Sequence, residues 1–320
     1  MKFELKFLKK SLLFTAVIAS AVLFNGCKSK EEPLKELNIT YVKSPLNVPS
    51  ILEKNLNIFG EEFKKDGIEV KFHNLTTGPE QTQALAAGEL DILHALGGTS
   101  AIIAASNGVE LTITNIYSRS PKGFMLISNS ENLKSPEDLR GKKVAGPKGT
   151  ILHQLLLAYL AKGNMTVDDI EFINMGLPES SAALQSGAVD VALLAGPVAL
   201  GAIKNGAEVV TNGEGLVEGI IVTAVGNDFM KKYPEIVERF IAVNEKTVNS
   251  VDENFDKVVK VVSEEVGLSK EEVMEMYTLY DFDPTIRESD ITELKNTQDF
   301  LIKNGLQEKE IDIESIILKK

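Results

Sequence analysis

Three histidines and a single cysteine hold most of the reactive chemistry in this 320-residue chain. His73, His94 and His153 are scattered and lack the tight spacing with acids or cysteines that a metal site needs. No metal is therefore expected. A Gly-x-Ser-x-Gly elbow for a serine nucleophile is absent. Gly141-x-x-x-x-Gly146 is followed by Pro147 instead of Lys-Ser/Thr, so the phosphate loop of nucleotide hydrolases is not met. The Gly-x-Gly-x-x-Gly of dinucleotide sites is also missing, and no cofactor is expected. No catalytic set stands out, which points away from an enzyme. His94, at the end of an expected strand, and His153, in the first turn of an expected helix, could face a cleft or serve as hydrogen-bonded structural residues.

What remains is a set of polar, glycine-rich turns. They are Lys43-Ser44-Pro45, Thr76-Thr77-Gly78-Pro79, Gly97-Gly98-Thr99-Ser100, Lys148-Gly149-Thr150, Gly176-Leu177-Pro178 and Gly196-Pro197. Each lies at the C-terminal end of an expected strand, the place where open α/β sheets bind ligands. Several open helices, whose unpaired N–H groups and positive dipole ends suit an anion or a polar ring substituent. Lys43, Lys148 and Arg119 are candidate charge partners.

These turns need a scaffold, and the pattern supplies one. Strands are expected at 37–42, 68–72, 90–93 and 110–116, with helices at 48–65, 79–87 and 98–107 between them. The same syntax returns with strands at 143–145, 170–174, 189–194 and 207–210 and helices at 150–162, 178–186 and 197–205. This alternation implies an α/β fold with mostly parallel, doubly wound sheets. One stretch repeats in detail. Ala84-Leu85-x-x-Gly88-x-x-Asp91 recurs about 99 positions later as Ala183-Leu184-x-x-Gly187-x-x-Asp190, and Gly97 matches Gly196. Two such copies mean two similar lobes rather than a solenoid. Gly88 and Gly187 are expected to be left-handed helix stops, and Asp91 and Asp190 to be structural partners where buried strands begin. Gly97 and Gly196 are expected to let backbone amides approach a ligand. Residues 228–320 read as helices at 234–248, 253–265, 269–279 and 290–304, packed on the first lobe.

The N-terminus differs from the rest. Lys2, Lys6, Lys9 and Lys10 precede an apolar run from Leu12 to Phe24, 13 residues long. That suits a secretory signal and falls short of the roughly 20 residues of a bilayer span. Residues 1–26 are read as a signal peptide. Leu23-Phe24-Asn25-Gly26-Cys27 resembles the lipobox of bacterial lipoproteins, which implies lipidation of Cys27. Residues 27–36, charged and aperiodic, form a tether. The chain carries a net charge of −12. Because residues 1–26 are themselves basic, the remainder is more acidic still, which argues against nucleic acid as a partner.

Taken in order, Ala87-Gly88-Glu89-Leu90-Asp91, Ser120-Pro121-Lys122-Gly123, Asp138-Leu139-Arg140-Gly141-Lys142-Lys143-Val144-Ala145, Lys148-Gly149-Thr150, Ser186-Gly187-Ala188-Val189-Asp190 and Tyr233-Pro234-Glu235 resemble a known family. It is the periplasmic-binding-protein-like family serving nitrate, sulfonate and taurine importers, with pyrimidine thiamine precursors as related cargo. The resemblance implies a two-lobed type II binding-protein fold with two hinge strands. Lobe 1 would comprise 37–119 together with 217–320, which carries the C-terminal helices, and lobe 2 would comprise 120–216. It implies a lipid-anchored, monomeric, extracytoplasmic receptor that hands a small organic anion to an ABC permease and its ATPase. The family's pocket, transferred by position, falls on Ser44, Gly78, Pro79, Gly98, Thr99, Gly149, Thr150 and Pro197. One departure is Ala195-Gly196-Pro197, where sulfonate binders often carry Trp-Asp-Pro; the chain has no Trp. This implies a roomier or more backbone-lined pocket. Rival readings are a receptor for a pyrimidine thiamine precursor or another small aromatic solute, an enzyme on the same fold, and a sensor or adhesin.

Overall fold

The computed structural model describes residues 33–319. The expected signal peptide, Cys27 and most of the expected tether lie outside the described residues. The first half of the chain runs β1 (Glu36–Thr40), α1 (Val48–Asn55), α2 (Ile58–Phe63), β2 (Glu69–His73), α3 (Gly78–Ala86), β3 (Ile92–Gly97), α4 (Gly98–Ser106) and β4 (Leu111–Arg119). It continues through β5 (Phe124–Ser128), β6 (Lys143–Gly146), α5 (Ile151–Lys162), β7 (Glu171–Asn174), α6 (Leu177–Gln185), β8 (Val191–Ala195), α7 (Gly196–Lys204), β9 (Glu208–Asn212) and β10 (Ile220–Gly226). It ends in α8 (Asn227–Lys232), α9 (Pro234–Asn249), α10 (Phe255–Val266), α11 (Lys270–Tyr277) and α12 (Glu288–Lys303).

The strands form two sheets with matching plans. The first has the order β2-β1-β3-β10-β4 and the second β7-β6-β8-β5-β9. In the first, β1 pairs in parallel with β2 and β3, and β10 enters antiparallel between β3 and β4. In the second, β6 pairs in parallel with β7 and β8, and β5 enters antiparallel between β8 and β9. The antiparallel strand of each sheet is the one that arrives directly from the other, so the chain crosses between the halves after β4 and again before β10. This is the expected two-lobed α/β architecture.

The internal repeat has a local basis. Gly88 and Gly187 take positive φ angles of 75° and 73°. Gly88 N–H donates to Leu85 O and Glu89 N–H to Ala84 O, while Gly187 N–H donates to Leu184 O and Ala188 N–H to Ala183 O. Both helices therefore end in the same left-handed closure that glycine adopts without a Cβ penalty. The twin aspartates are also equivalent. Asp91 Oδ2 accepts the amide of Asn38 and Asp190 Oδ2 the amide of Lys143, each at 2.8 Å. Each carboxylate thus anchors the start of its own strand to the neighbouring one.

Two expectations need correction. The single helix over 48–65 is broken at Asn57, which has φ 52°. Asparagine tolerates that left-handed conformation, and the break turns Phe59 and Phe63 into the core beside Phe240, whose ring stacks on Phe59 at 4.5 Å. The C-terminal helices do not serve the first half alone. Tyr280, just after α11, lines a pocket together with Ala199, Leu200 and Ile203 of α7, and Lys204 pairs with Glu272.

Candidate functional site

Each half presents its strand ends and helix starts to the other. α3 begins with a capping box: Thr77 Oγ1 accepts the Glu80 amide and the Glu80 carboxylate accepts the Thr77 amide. Pro79 sits in its first turn, where a missing N–H costs nothing. α4 starts at Gly97 and Gly98. α5 is capped by Thr150, whose Oγ1 accepts the His153 amide. α6 and α7 start at Gly176 and Ala195. First-turn amides have no intrahelical acceptor, and together with the helix dipoles they form partial positive charge.

These starts converge on a cavity of about 70 Å³ between the two sheets. Ser44, Thr76, Thr77, Gly78, Gln81, Gly97, Ser100, Thr150, Leu177 and Ala195 line it, with Phe124, Ile151 and Ile221 among its apolar walls. No acidic or basic side chain is among the lining residues. Ala95 also lines it with φ 80°. A non-glycine residue in that region costs on the order of 1–3 kcal/mol and is concentrated at functional sites. Glycine is required where space is tightest: a Cβ on Gly78 would lie 2.2 Å from Ser100 Oγ.

The halves touch around this cavity. Ser100 Oγ donates to Gly149 O at 2.8 Å. Thr99 Oγ1 donates to Gln154 Oε1 at 2.6 Å, and Gln154 Nε2 donates onward to Thr297 Oγ1 at 3.2 Å. Gly196, at φ 57°, approaches Pro45 so closely that a Cβ would lie 2.8 Å from the Pro45 Cα. Gly196 thus admits the backbone of the opposite half, not a ligand as the sequence suggested.

The eight expected pocket residues divide. Ser44, Gly78 and Thr150 line the cavity. Pro79 and Gly149 face each other across the halves, a Cβ on Gly149 lying 3.6 Å from Pro79 Cγ. Gly98 and Thr99 line a separate crevice of about 10 Å³ with Gln154 and Thr297. Pro197 is half-buried in the first turn of α7 and is not among the lining residues of either. Gln81 and Ala95 were missed. Gln81 is a polar residue on the apolar face of α3 that also carries Leu85, a pattern visible in the sequence.

Two of the three candidate charge partners are committed elsewhere. Arg119 makes a bidentate pair with Asp290, both contacts at 2.6 Å, and reaches Asp281 as well. Lys43 pairs with Glu265 at 2.9 Å. Lys148 is exposed, and its amide donates to Asn174.

His94 is wholly buried away from the cleft. Its Nε2 meets Glu53 Oε2 at 2.7 Å and its Nδ1 meets Thr223 Oγ1, while Glu53 Oε1 accepts from Asn244. His153 is 2% exposed and stacks near Phe172. Burial, with the Lys148 charge as a lesser cause, pushes its pKa down to about 4. Its Nδ1 accepts the Gly149 amide at 3.4 Å, which requires an unprotonated nitrogen. Among the described residues no group of three or more His, Cys, Asp or Glu could hold a metal ion.

A larger cavity of about 500 Å³ lies at the other end of the first sheet, lined by Gly88, Asp91, Gly108, Glu110 and Asp228 among others. Its lining is mixed: the C-terminal turns of α3 and α4 and the carboxylates of Asp91, Glu110 and Asp228 stand beside Lys232 and the start of α8. The converging helix starts make the smaller cavity the better anion site.

Known proteins carry the same architecture. The chain is 26% identical over 312 residues to a Bacillus subtilis protein named for the binding of aliphatic sulfonates, covering 94% of this chain and 93% of that one. It is 28% identical over 208 residues to the taurine-binding periplasmic protein of Escherichia coli, covering 64% of this chain and 63% of the other. The alkanesulfonate-binding protein SsuA of Xanthomonas axonopodis pv. citri, solved bound to MOPS, superposes with a TM-score of 0.80 at 21% identity, covering 89% of this chain and 98% of that one. A profile of the family described as NMT1/THI5 like matches residues 63–258, more than half of the sequence, and the chain belongs to that family.

Proposed function

We propose that this protein is the solute-binding component of an ABC importer, delivering a small sulfonate-like organic anion to a permease driven by an ATPase. The observation that carries the reading is the convergence of the starts of α3, α4, α5, α6 and α7 on a cavity with no charged side chain among its lining residues. An anion there would be held by backbone amides and helix dipoles, which leaves a site usable for release once the halves part. Ser44, Gly78 and Thr150 would contact the solute, with Pro79 and Gly149 where the halves meet beside it and Gly98 and Thr99 in the adjoining crevice. The names of the relatives support a sulfonate-like cargo.

In this reading residues 37–119 and 217–320 form one lobe and 120–216 the other, closing about the two crossings. Cys27, behind a basic and apolar leader, would carry the lipid that holds the protein on the outer face of a membrane. No helix among the described residues is long and apolar enough to cross a membrane, so in this reading the anchor is the lipid. A melting-shift screen across sulfonates, nitrate and pyrimidines tests the cargo. A hundredfold excess over the dissociation constant should add about 2.7 kcal/mol of stability. A screen with no shift for any anion would remove the support for this cargo class.

A further inference from the structure

A cavity of about 210 Å³ shares no lining residue with the one between the sheets. One wall is α7, where Gly196, Ala199, Leu200 and Ile203 line it. That i, i+3, i+4, i+7 spacing is a single helix face. The other wall is α11 and the turn beyond it, where Glu272, Glu275, Met276, Leu279 and Tyr280 follow the same spacing. Met125 of β5 also lines the space. The two walls belong to different parts of the molecule. α7 packs on β5 and β8 of the second sheet, whereas α11 packs on α10 and α10 on α1. Lys204, at the end of α7, pairs with Glu272 and joins them.

The lining side chains are apolar apart from the two glutamates and Tyr280, and none is basic. A cavity of about 150 Å³ with apolar walls binds benzene, so this one has room for such a ring and a short arm. Methionine sulfur makes favourable contacts with aromatic rings, and Met125 and Met276 supply two. Charge selects the arm. Lys204 balances Glu272, while Glu275 makes no ion pair among the described residues. We propose that the space between α7 and α11 is a second binding site, for a small aromatic ammonium ion whose ring lies against Met125 and Met276 and whose cationic end meets Glu275. An aromatic anion would be repelled by that carboxylate, and an uncharged ring would leave it unmatched. The occupant would touch both walls and so join α7 to α11. The site stands apart from the anion reading, because the two cavities have no residue in common.

Methyl NMR of the full protein labelled at its methionines tests this, with benzylammonium, benzyl alcohol and benzoate as probes of one size and three charges. The chain has 7 methionines, and Met125→Leu and Met276→Leu assign the two that matter. Benzylammonium should move the Met125 and Met276 signals together and saturably, leaving those of Met165 and Met230 in place. It should bind about fivefold tighter than benzyl alcohol, the gain expected of one half-exposed charge pair, and benzoate should bind more weakly than either. In Glu275→Gln, a change at an exposed position, the preference for benzylammonium should fall below about twofold. Met125 and Met276 signals that stay still with all three probes would overturn the proposal, and need no variant to fold. Equal affinities for the ammonium and the alcohol, or a preference that persists in Glu275→Gln, would also overturn it.

Discussion

Ser100 Oγ and the Gly149 carbonyl meet at 2.8 Å across the cleft, tying the first turn of α4 to the loop ahead of α5. The bond exists only when the halves are together, so its loss should weaken the closed form and leave each half folded. Ser100→Ala is expected to weaken solute binding about tenfold, as an unmatched buried carbonyl costs about 1–3 kcal/mol. Calorimetry gives the affinity, and a melting curve without solute should change little.

Gly196 meets Pro45 at the neighbouring contact. An alanine there would set its Cβ 2.8 Å from the Pro45 Cα at a φ of 57°. Neither backbone can yield cheaply, so Gly196→Ala should hold the halves apart. Small-angle scattering should show a larger radius with saturating solute than the unaltered protein has. An unchanged radius would mean that the contact does not limit closure.

His153 makes stability depend on pH. Its folded pKa of about 4 lies below the ordinary histidine value of 6.5. Between these values the unfolded chain binds a proton that the folded chain does not, so stability rises with pH and is lost as pH falls from 6.5 towards 4. The loss is at most about 3 kcal/mol, from the size of the separation. Urea titrations at pH 7.5 and pH 5 should show it, and His153→Gln should show less of it. Protonation of the folded chain, which sets in only as pH falls to about 4, also removes the acceptor for the Gly149 amide, so solute affinity should fall there.

Glu53 and His94 are both 0% exposed and joined at 2.7 Å. Glu53→Ala would leave His94 and Asn244 without their partner in the core of the first half. A cost of about 3–5 kcal/mol is expected, the range for breaking a buried polar pair by removing one member. The variant should unfold at a markedly lower urea concentration. A shift within experimental scatter would show that the pair is dispensable.

The sequence was most readable where local rules decide. Apolar spacing located most helices and strands, and the repeat around Gly88 and Gly187 announced two equivalent lobes, down to the shared task of Asp91 and Asp190. It was silent where partners come from far away. Arg119 looks like a free cation until Asp290 and Asp281 close on it. β5 and β10 were not among the expected strands, and the strands that flank them, β8 and β9 for the one and β3 and β4 for the other, lie far along the chain. The helix break at Asn57 is a single left-handed residue inside an unbroken apolar pattern. Of the cavity lining, Ser44, Gly78 and Thr150 lie in turns that the sequence picked out, and the family resemblance pointed to them by position.

The central claim is that helix-start amides hold an anion between the two halves. A crystal structure of the complex with 2-aminoethanesulfonate tests it most directly. The sulfonate oxygens should lie about 3 Å from backbone nitrogens in the first turns of α3, α4 or α5, within the cavity that Ser44, Gly78 and Thr150 line. A solute found in the outer cavity beside Asp91 and Asp228, or held by lysine and arginine side chains alone, would contradict the account.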